Sequence, residues 1–413
     1  MNTDVQWILG LPFDLTGARH AADGLREAGV RERSVVFATP NLNFLRSSSE
    51  SRKFRDDILR TDLSLVDGMP IVWLGRALGV PVRERVAGST LVDLLAEPHK
   101  NRQPLRTFIF GAEGESAQLA MNAVNTQACG LVGVGALNPG FGSVKELSSA
   151  SIIDTINASN PELLIVSLGA VKGHAWIEHN RDQLQVPLIS HLGAAVNFLA
   201  GTVRRAPPFM QKTGLEWLWR VFSEPRLTRR YAGDALYLAR ELITAVLPLM
   251  WMRLWRGRRA REITVDEVPG RPGLLLVSGA LTADTVSTLV ESVERLRSAG
   301  ADAISLNFSD LTYVDCRGLG YLYELVYRRI GPATVQLGGR NRTLDRLLRL
   351  HRAECLFDQP VTSVQPKPRR VAPAATAAPG RNLAKDRGSF KAGAGAGAVA
   401  GTERRGVDLT RPH

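Results

Sequence analysis

Short apolar runs alternate with amphipathic segments through the first two hundred residues. The runs have the length of buried strands, and the segments between them, such as Ala117–Thr126 and Ala150–Ala158, have helical periodicity. The predicted strands are Val35–Ala38, Leu63–Val66, Arg106–Phe110, Leu131–Val134, Leu163–Leu168 and Pro187–Leu192. Strand–helix alternation of this kind predicts an α/β domain, residues 1–201, built on a parallel, Rossmann-like sheet.

Polar motifs follow two of these runs directly. Thr39-Pro40-Asn41 follows the first run, and Asp67-Gly68 follows the second. Side chains at the carboxyl ends of strands in an open α/β sheet face the ligand crevice, so Asp67 is a candidate reacting carboxylate and Thr39 and Asn41 are candidate ligand contacts. Aspartate is also a common helix N-cap, and from Asp67 alone that interpretation is equally good.

A glycine-containing turn, Gly111-x-x-Gly114, follows the third run and opens a helix. The amino end of a helix can hold a phosphate group, which makes Gly111 a candidate binding residue. An ordinary tight turn between strand and helix is the alternative interpretation.

The composition changes after Gly201. Residues 202–261 contain 13 Lys or Arg against 4 Asp or Glu, and they include four of the seven tryptophans. The longest uncharged run, Leu242–Met252, is shorter than the roughly 20 apolar residues that a membrane-spanning helix needs. We therefore expect Ala235–Arg261 to lie as a helix in the headgroup plane of an anionic membrane. A helix docked on the catalytic core is the alternative.

A second, smaller α/β domain is predicted over residues 262–360. Leu274–Ser278 and Ala303–Phe308 have the pattern of strands, and Asp284–Ala299 has that of an amphipathic helix. Residues 361–413 are rich in Pro, Ala, Gly and Arg and contain too little apolar bulk to offset the entropy of ordering, so a disordered basic tail is expected.

Charge and cysteine usage narrow the class of protein. The net charge of +12 is concentrated in residues 202–261 and in the tail, which favours an anionic membrane surface as the partner and not nucleic acid. The three cysteines are far apart, which argues against a structural zinc site and for a reducing compartment. No secretory signal is visible at the first residues, so a cytoplasmic location is expected.

An ordered series of motifs resembles a known enzyme family. The motifs are Thr39-Pro40-Asn41, Asp67-Gly68-Met69-Pro70, Val86-Ala87-Gly88-Ser89, Arg205-Ala206-Pro207 and Gly214-Leu215-Glu216-Trp217. They are similar to those of the WecG/TagA/CpsF family of bacterial glycosyltransferases, and the similarity covers roughly residues 5 to 240. Membership would imply transfer of a sugar, usually of the N-acetylmannosamine type, from a UDP-sugar donor to a polyprenyl-diphosphate-linked saccharide acceptor.

The resemblance also implies a site. Asp67 would be the general base, and Thr39 and Asn41 would line the same crevice. The reaction would invert the configuration at the anomeric carbon of the sugar and would need no cofactor. The chain contains no Asp-x-Asp motif, so a metal-independent reaction is expected in which arginine side chains meet the leaving diphosphate. The candidate arginines are Arg205, Arg220, Arg226, Arg229 and Arg230.

The second domain resembles the STAS domain of anti-sigma-factor antagonists and anion transporters. The resemblance rests on Gly279-Ala280-Leu281-Thr282 and on Asp315-Cys316-Arg317-Gly318 after a predicted strand. Arg317 stands where antagonist members carry a phosphorylated serine, so the phosphorylation switch is expected to be lost. A module that binds a protein partner, and a domain kept for dimerisation or stability, are both open.

One turn differs from the motif of the glycosyltransferase family, and the difference bears on the choice between two hypotheses about function. The family's Pro-Lys-Gln-Glu turn is here Val171-Lys172-Gly173-His174, and His174 and His179 are expected to be surface residues. The leading hypothesis is a glycosyltransferase of exopolysaccharide or cell-envelope glycan assembly, attached peripherally to the inner face of the cell membrane. The alternative is a catalytically decayed regulator that binds a nucleotide sugar and signals through its STAS-like module.

Overall fold

The computed structural model describes residues 4–30, 34–98, 103–127, 130–203, 206–207, 209–210, 216–223, 227–257, 262–328 and 334–358. Two of the arginines predicted to contact substrate, Arg205 and Arg226, lie outside the described residues. The tail that the sequence predicts to be disordered lies outside them as well.

A parallel sheet of six strands forms the centre of the first domain. The strands before residue 200 are β1 (Asp4–Ile8), β2 (Leu11–Leu15), β3 (Val35–Ala38), β4 (Leu63–Ser64), β5 (Leu105–Gly111), β6 (Leu131–Leu137), β7 (Leu163–Ser167) and β8 (Leu188–His191). The sheet has the order β4-β3-β8-β7-β5-β6, and every pairing in it is parallel. The predicted parallel sheet is confirmed, since each of the six apolar runs coincides with one of its strands.

Helices cover both faces of this sheet. They are α1 (Ala18–Val30), α2 (Leu42–Glu50), α3 (Arg52–Leu59), α4 (Met69–Ala77), α5 (Gly88–Ala96), α6 (Ser116–Gln127), α7 (Ala150–Ala158), α8 (Ala170–Asn180) and α9 (Gly193–Leu199). Successive residues of a strand point to opposite faces. Ile109 and Ile165 accordingly belong to one apolar core, and Phe110 and Val166 to another.

A short helix and a long one follow the sheet. Helix α10 is Glu216–Ser223, and the long helix, residues 228–257, consists of α11 (Thr228–Glu241), a π-helical turn (Leu242–Val246), α12 (Leu247–Met252) and a second π-helical turn (Arg253–Gly257). Among the described residues, Thr228–Trp255 is the one helix whose length and composition would allow it to cross a membrane, and 33% of its most apolar stretch is buried. The predicted segment Ala235–Arg261 is thus part of a longer helix than its uncharged run indicated, and its last four residues are not described.

The long helix has two different apolar faces. Tyr237, Ala245, Val246, Leu249 and Met252 are buried against the rest of the protein. The other face carries large apolar side chains that are each more than half exposed, namely Leu236, Ile243, Leu247, Trp251, Leu254 and Trp255. The helix is therefore docked on the protein along one side, and its other side is an exposed apolar stripe.

A second sheet forms from residue 263 onward. Its elements are β9 (Ile263–Glu267), β10 (Leu274–Leu281), α13 (Val286–Ser298), β11 (Ala303–Val314), α14 (Cys316–Tyr323), a π-helical turn (Glu324–Arg328), β12 (Thr334–Gly338) and α15 (Arg342–His351). The order is β12-β11-β10-β9, with β9 antiparallel to β10 and the other pairings parallel. A second α/β module is thus present, and its STAS identity stays a prediction.

The amino-terminal strands connect this second module to the first domain. β1 and β2 form an antiparallel hairpin outside the six-stranded sheet, which the sequence did not predict. α14 packs so closely on β1 that a Cβ atom on Gly320 would collide with the carbonyl oxygen of Val5. The Trp7 Nε1–H donates a hydrogen bond of 2.9 Å to the carbonyl oxygen of His351. The hairpin is therefore covered by the second module.

Two ion pairs with buried carboxylates cross the same boundary. The Arg328 guanidinium donates hydrogen bonds of 2.7 and 2.6 Å to the two carboxylate oxygens of Asp14, whose side chain is fully buried. Arg352 pairs with the buried Glu241 of the long helix at 3.1 Å. Because apolar residues of both parts belong to one continuous core cluster, the second module is packed against the first domain as part of one fold.

Arg317, which stands at the serine position by the STAS resemblance, faces this boundary. Asp315 caps α14 by accepting hydrogen bonds of 2.9 Å from the backbone N–H groups of Arg317 and Gly318. Arg317 then forms ion pairs with Asp4 of β1 at 2.7 Å and with Glu324 at 3.0 Å. Arg317 is therefore engaged in ion pairs within this chain.

Candidate active site

The polar motifs after β3 and β4 meet at the carboxyl edge of the sheet, because these two strands are neighbours. The backbone N–H of Asp67 donates a hydrogen bond of 3.1 Å to the carbonyl oxygen of Pro40, the residue before Asn41. Thr39 is buried, and its Oγ1 would lie 3.1 Å from a Cβ on Gly88 at the start of α5. The predicted residues Thr39, Asn41 and Asp67 are thus close together at the carboxyl edge of the sheet.

The carboxylate of Asp67 is not used to cap a helix. Gly68, with a positive φ of 87°, is the N-cap of α4, and no side-chain hydrogen bond caps that helix. The interpretation of Asp67 as a capping residue is therefore wrong. Asn41, by contrast, is the N-cap of α2 and accepts a hydrogen bond of 3.1 Å from the backbone N–H of Asn43, so it has a structural role whatever it binds.

The surroundings of Asp67 raise its pKa to about 6. Burial is the largest cause, and the neighbouring carboxylate of Glu216 raises the pKa further. The positive charges of Arg85 and Arg220 act in the opposite direction and lower it. A carboxyl group with a pKa near 6 is deprotonated at neutral pH and is more basic than an ordinary aspartate, which suits a general base.

Two arginines and a glutamate form a cluster beside Asp67, which we call the arginine cluster. Arg85 pairs with Glu216 at 2.6 Å, and Arg220 approaches the other oxygen of Glu216 at 3.8 Å. The Arg220 guanidinium also lies over the ring of Phe198, 5.1 Å from its centroid. Helix α10 therefore brings a cation and a carboxylate from the segment after the sheet to the predicted base.

Arg85 was not among the residues predicted from the sequence. It precedes the Val86-Ala87-Gly88 motif in a loop without regular structure, and its proximity to that motif was the available signal. Within the described ranges, no group of three or more His, Cys, Asp or Glu side chains is placed to hold a metal ion. Among the described residues, the cations that lower the pKa of Asp67 are the guanidinium groups of Arg85 and Arg220.

The remaining arginine candidates differ in position. Arg229 and Arg230 are exposed in the first turn of the long helix, and Arg230 lies over the ring of Tyr231 at 4.8 Å. Neither forms an ion pair with the part of the chain that the structure describes. Of the three predicted arginines that the structure describes, Arg220 is the one placed at Asp67, and the roles of all the others stay predictions.

Gly111 has a packing reason to be glycine. It ends β5 with a positive φ of 96°, and a Cβ there would collide with the backbone of Ser167 at the end of the neighbouring strand β7. The next residue, Ala112, donates its N–H to the Ser167 carbonyl oxygen at 2.7 Å. Close approach of two strand ends accounts for the turn, and phosphate binding by Gly111 stays a prediction.

The histidine of the altered turn is buried, so its expected surface position is wrong. His174 is 2% exposed, and the rings of Phe44, Phe54 and His191 surround it. Burial, and then the nearby His191, lower the pKa of His174 well below its usual value. His191 ends β8 and lies against Gly173, where any Cβ atom would collide with the imidazole ring. The glycine at position 173, where this turn differs from the family's motif, thus makes room for the side chain of His191.

Comparison with known proteins gives a family for the first domain. The model of the glycosyl transferase WecG/TagA/CpsF family matches residues 6–250, and the match ends before β9. An N-acetylglucosaminyldiphosphoundecaprenol N-acetyl-beta-D-mannosaminyltransferase of Bacillus spizizenii is 26% identical over 213 residues, which are 52% of this chain and 78% of that relative. A protein of the same name from Staphylococcus aureus strain MW2 is 23% identical over 240 residues, which are 57% of this chain and 92% of that relative.

Proposed function

This chain belongs to the WecG/TagA/CpsF glycosyltransferase family, and we propose that it transfers a sugar from a UDP-sugar to a polyprenyl-diphosphate-linked saccharide. The names of the relatives favour a sugar of the N-acetylmannosamine type or a related hexose. The observation that carries the proposal is a strand-end carboxylate, Asp67, with a pKa near 6 beside two arginines. The product would enter exopolysaccharide or cell-envelope glycan synthesis.

In the proposed reaction Asp67 removes the proton from the acceptor hydroxyl. The oxygen of that hydroxyl attacks the anomeric carbon of the donor, the bond from that carbon to the diphosphate breaks, and the configuration inverts. The diphosphate leaves with negative charge, and Arg85 and Arg220 stabilise it. Guanidinium groups suit this task because two parallel N–H donors match two phosphate oxygens, and we propose that no metal is needed.

The direct test is a transfer assay. Purified full-length protein would be incubated with a panel of UDP-sugars and a polyprenyl-diphosphate saccharide, and products would be detected by mass spectrometry. A new lipid-linked glycoside supports the proposal. The regulator hypothesis predicts UDP-sugar binding without any product, and its main support, the altered turn, is weakened because Gly173 fits against His191.

We expect the pH dependence of transfer to report on Asp67. The base acts in its deprotonated form, so kcat/KM should be nearly constant above the pKa and fall as the pH decreases through about 6. Below that value the fall should be about tenfold per pH unit, since a single group is being protonated. Initial rates between pH 4.5 and 8.5 measure this, and a flat profile across pH 6 would contradict the assignment.

We propose that the exposed apolar stripe of the long helix rests on the membrane that holds the acceptor. The stripe contains two adjacent tryptophans, Trp251 and Trp255, whose ring centroids are 5.9 Å apart. Exposed apolar patches of this kind mark interaction surfaces, and tryptophan is favoured at membrane interfaces. Arg253 belongs to the segment expected in the headgroup plane, but its guanidinium packs onto Gly79, just after α4, so it is a poor residue with which to test membrane binding.

The double substitution Trp251→Ser/Trp255→Ser tests this membrane contact. Because burying one large apolar side chain contributes about 1.5–3 kcal/mol, we expect partitioning onto anionic liposomes to fall at least about tenfold. Co-sedimentation measures the partitioning, with Leu119→Ser, an exposed apolar residue of α6, as the matched control. Equal sedimentation of the double variant and the wild type would argue that the stripe does not meet the membrane.

We propose that the second module stabilises the transferase and does not relay phosphorylation. The residue at the serine position, Arg317, is already paired with Asp4 and Glu324 of the same chain. These two ion pairs therefore favour a fixed contact of Arg317 within the chain over a phosphorylation switch. Binding of a separate protein by other faces of the module remains a prediction from the STAS resemblance.

A further inference from the structure

The Glu216 carboxylate occupies an unusual place in the arginine cluster. Its two oxygens are directed at two different guanidinium groups, 2.6 Å from Arg85 and 3.8 Å from Arg220. All three side chains are about one-fifth exposed, at 17%, 19% and 20%, so a ligand can reach them from solvent. A carboxylate between two arginines has the same contacts that a phosphate group would make there.

We propose that Glu216 is a displaceable substitute for the donor diphosphate: it pairs with Arg85 and Arg220 when no donor is bound, and the diphosphate takes its place. The inference rests on the proposed contacts of these arginines with the diphosphate. It assigns to Glu216 a positioning role, in which the carboxylate keeps the two cations in place beside Asp67 without touching the reacting atoms.

Two structural features make the exchange feasible. Arg220 has a second contact, the ring of Phe198 at 5.1 Å, so its guanidinium stays oriented after Glu216 leaves. Glu216 is the first residue of α10 and is partly exposed, so its side chain can turn to solvent. A diphosphate carries more negative charge than one carboxylate and offers more acceptor oxygens, which favours it in the competition for the same two guanidinium groups.

The exchange also preserves the environment of Asp67. Glu216 raises the pKa of Asp67, and the two arginines lower it. When one anion replaces the other between the same arginines, a negative charge remains near Asp67. The pKa of Asp67 therefore stays raised in the donor complex, as a general base requires.

Calorimetric titration of full-length protein with UDP and with inorganic diphosphate tests this proposal. Glu216→Gln keeps the shape of the side chain but removes the competing charge, so both probes should bind more tightly, by about tenfold or about 1.4 kcal/mol. Glu178→Gln is the matched control, because Glu178 also lies between two arginines, Arg60 at 3.0 Å and Arg181 at 3.5 Å. The affinity of this control variant for UDP and for diphosphate should equal that of the wild type. A purely structural role predicts the opposite sign, weaker binding in Glu216→Gln.

The outcomes separate this inference from the proposed function. Tighter diphosphate binding by Glu216→Gln without UDP binding supports the displacement and contradicts a UDP-sugar donor. Equal or weaker binding of both probes overturns the displacement, and the donor proposal stands if UDP still binds. Absence of binding by every protein overturns both. If Glu216→Gln does not fold, Glu216→Asp, whose shorter carboxylate cannot span both arginines, should bind the probes more tightly than the wild type, and equal or weaker binding overturns the proposal.

Discussion

Replacing Asp67 with asparagine should lower the rate of sugar transfer by about 10² to 10⁴, the usual contribution of a general base. The amide keeps the size and hydrogen-bonding shape of the side chain but cannot accept the proton of the acceptor hydroxyl. UDP binding should change little, because the contacts proposed for the diphosphate belong to Arg85 and Arg220. The measurements are kcat by product formation and the UDP dissociation constant by calorimetry.

Asp57→Asn is the matched control for this substitution. Asp57 is also a buried carboxyl group, and burial likewise raises its pKa to about 6. It lies near the end of α3 and not at the carboxyl end of a strand, so its loss should leave transfer within a few-fold of the wild type. Wild-type turnover by Asp67→Asn, or an equal loss in the control, would remove Asp67 from the mechanism.

Much of the first domain could be predicted because its strands are local features of the sequence. Strands of a parallel sheet are buried on both faces, so they are continuous apolar runs such as Leu163–Ser167. The β1–β2 hairpin was missed for the opposite reason. What covers it is helix α14, more than three hundred residues away, and no local pattern records that contact. The second module's role as a cover for this hairpin therefore became visible only in the fold.

Only the part of the candidate site that lies at the strand ends was predictable from the sequence. Thr39, Asn41 and Asp67 follow adjacent strands of one parallel sheet, so the topology alone brings them together. Arg85 and Arg220 reach Asp67 through a loop and a helix outside the sheet, and their side-chain directions depend on tertiary packing. The burial of His174 likewise depends on aromatic rings from other helices, which spacing along the chain does not reveal.

Replacing Arg328 with methionine should reduce the free energy of unfolding by about 3–5 kcal/mol. The substitution removes the guanidinium that donates two hydrogen bonds to the fully buried carboxylate of Asp14, and removing one partner of a buried ion pair costs more stability than the intact pair contributes. Urea denaturation, followed by circular dichroism, measures the change. The matched control is Arg19→Met, which breaks an exposed pair with Glu97 and should cost less than about 1 kcal/mol.

Replacing Arg328 with methionine should also lower the rate of sugar transfer, because Asp14 connects the second module to the strand before the proposed base. Asp14 Oδ2 accepts a hydrogen bond of 2.7 Å from the backbone N–H of Ser64, and Asp14 is paired with Leu65, two residues before Asp67.

The double variant Asp14→Leu/Arg328→Met removes both charges and should recover part of the lost stability. Recovery of stability without recovery of kcat would mean that the hydrogen bond to Ser64 positions Asp67. Recovery of both would assign the ion pair a purely stabilising role, and an unchanged unfolding free energy in Arg328→Met would show that this ion pair does not stabilise the fold.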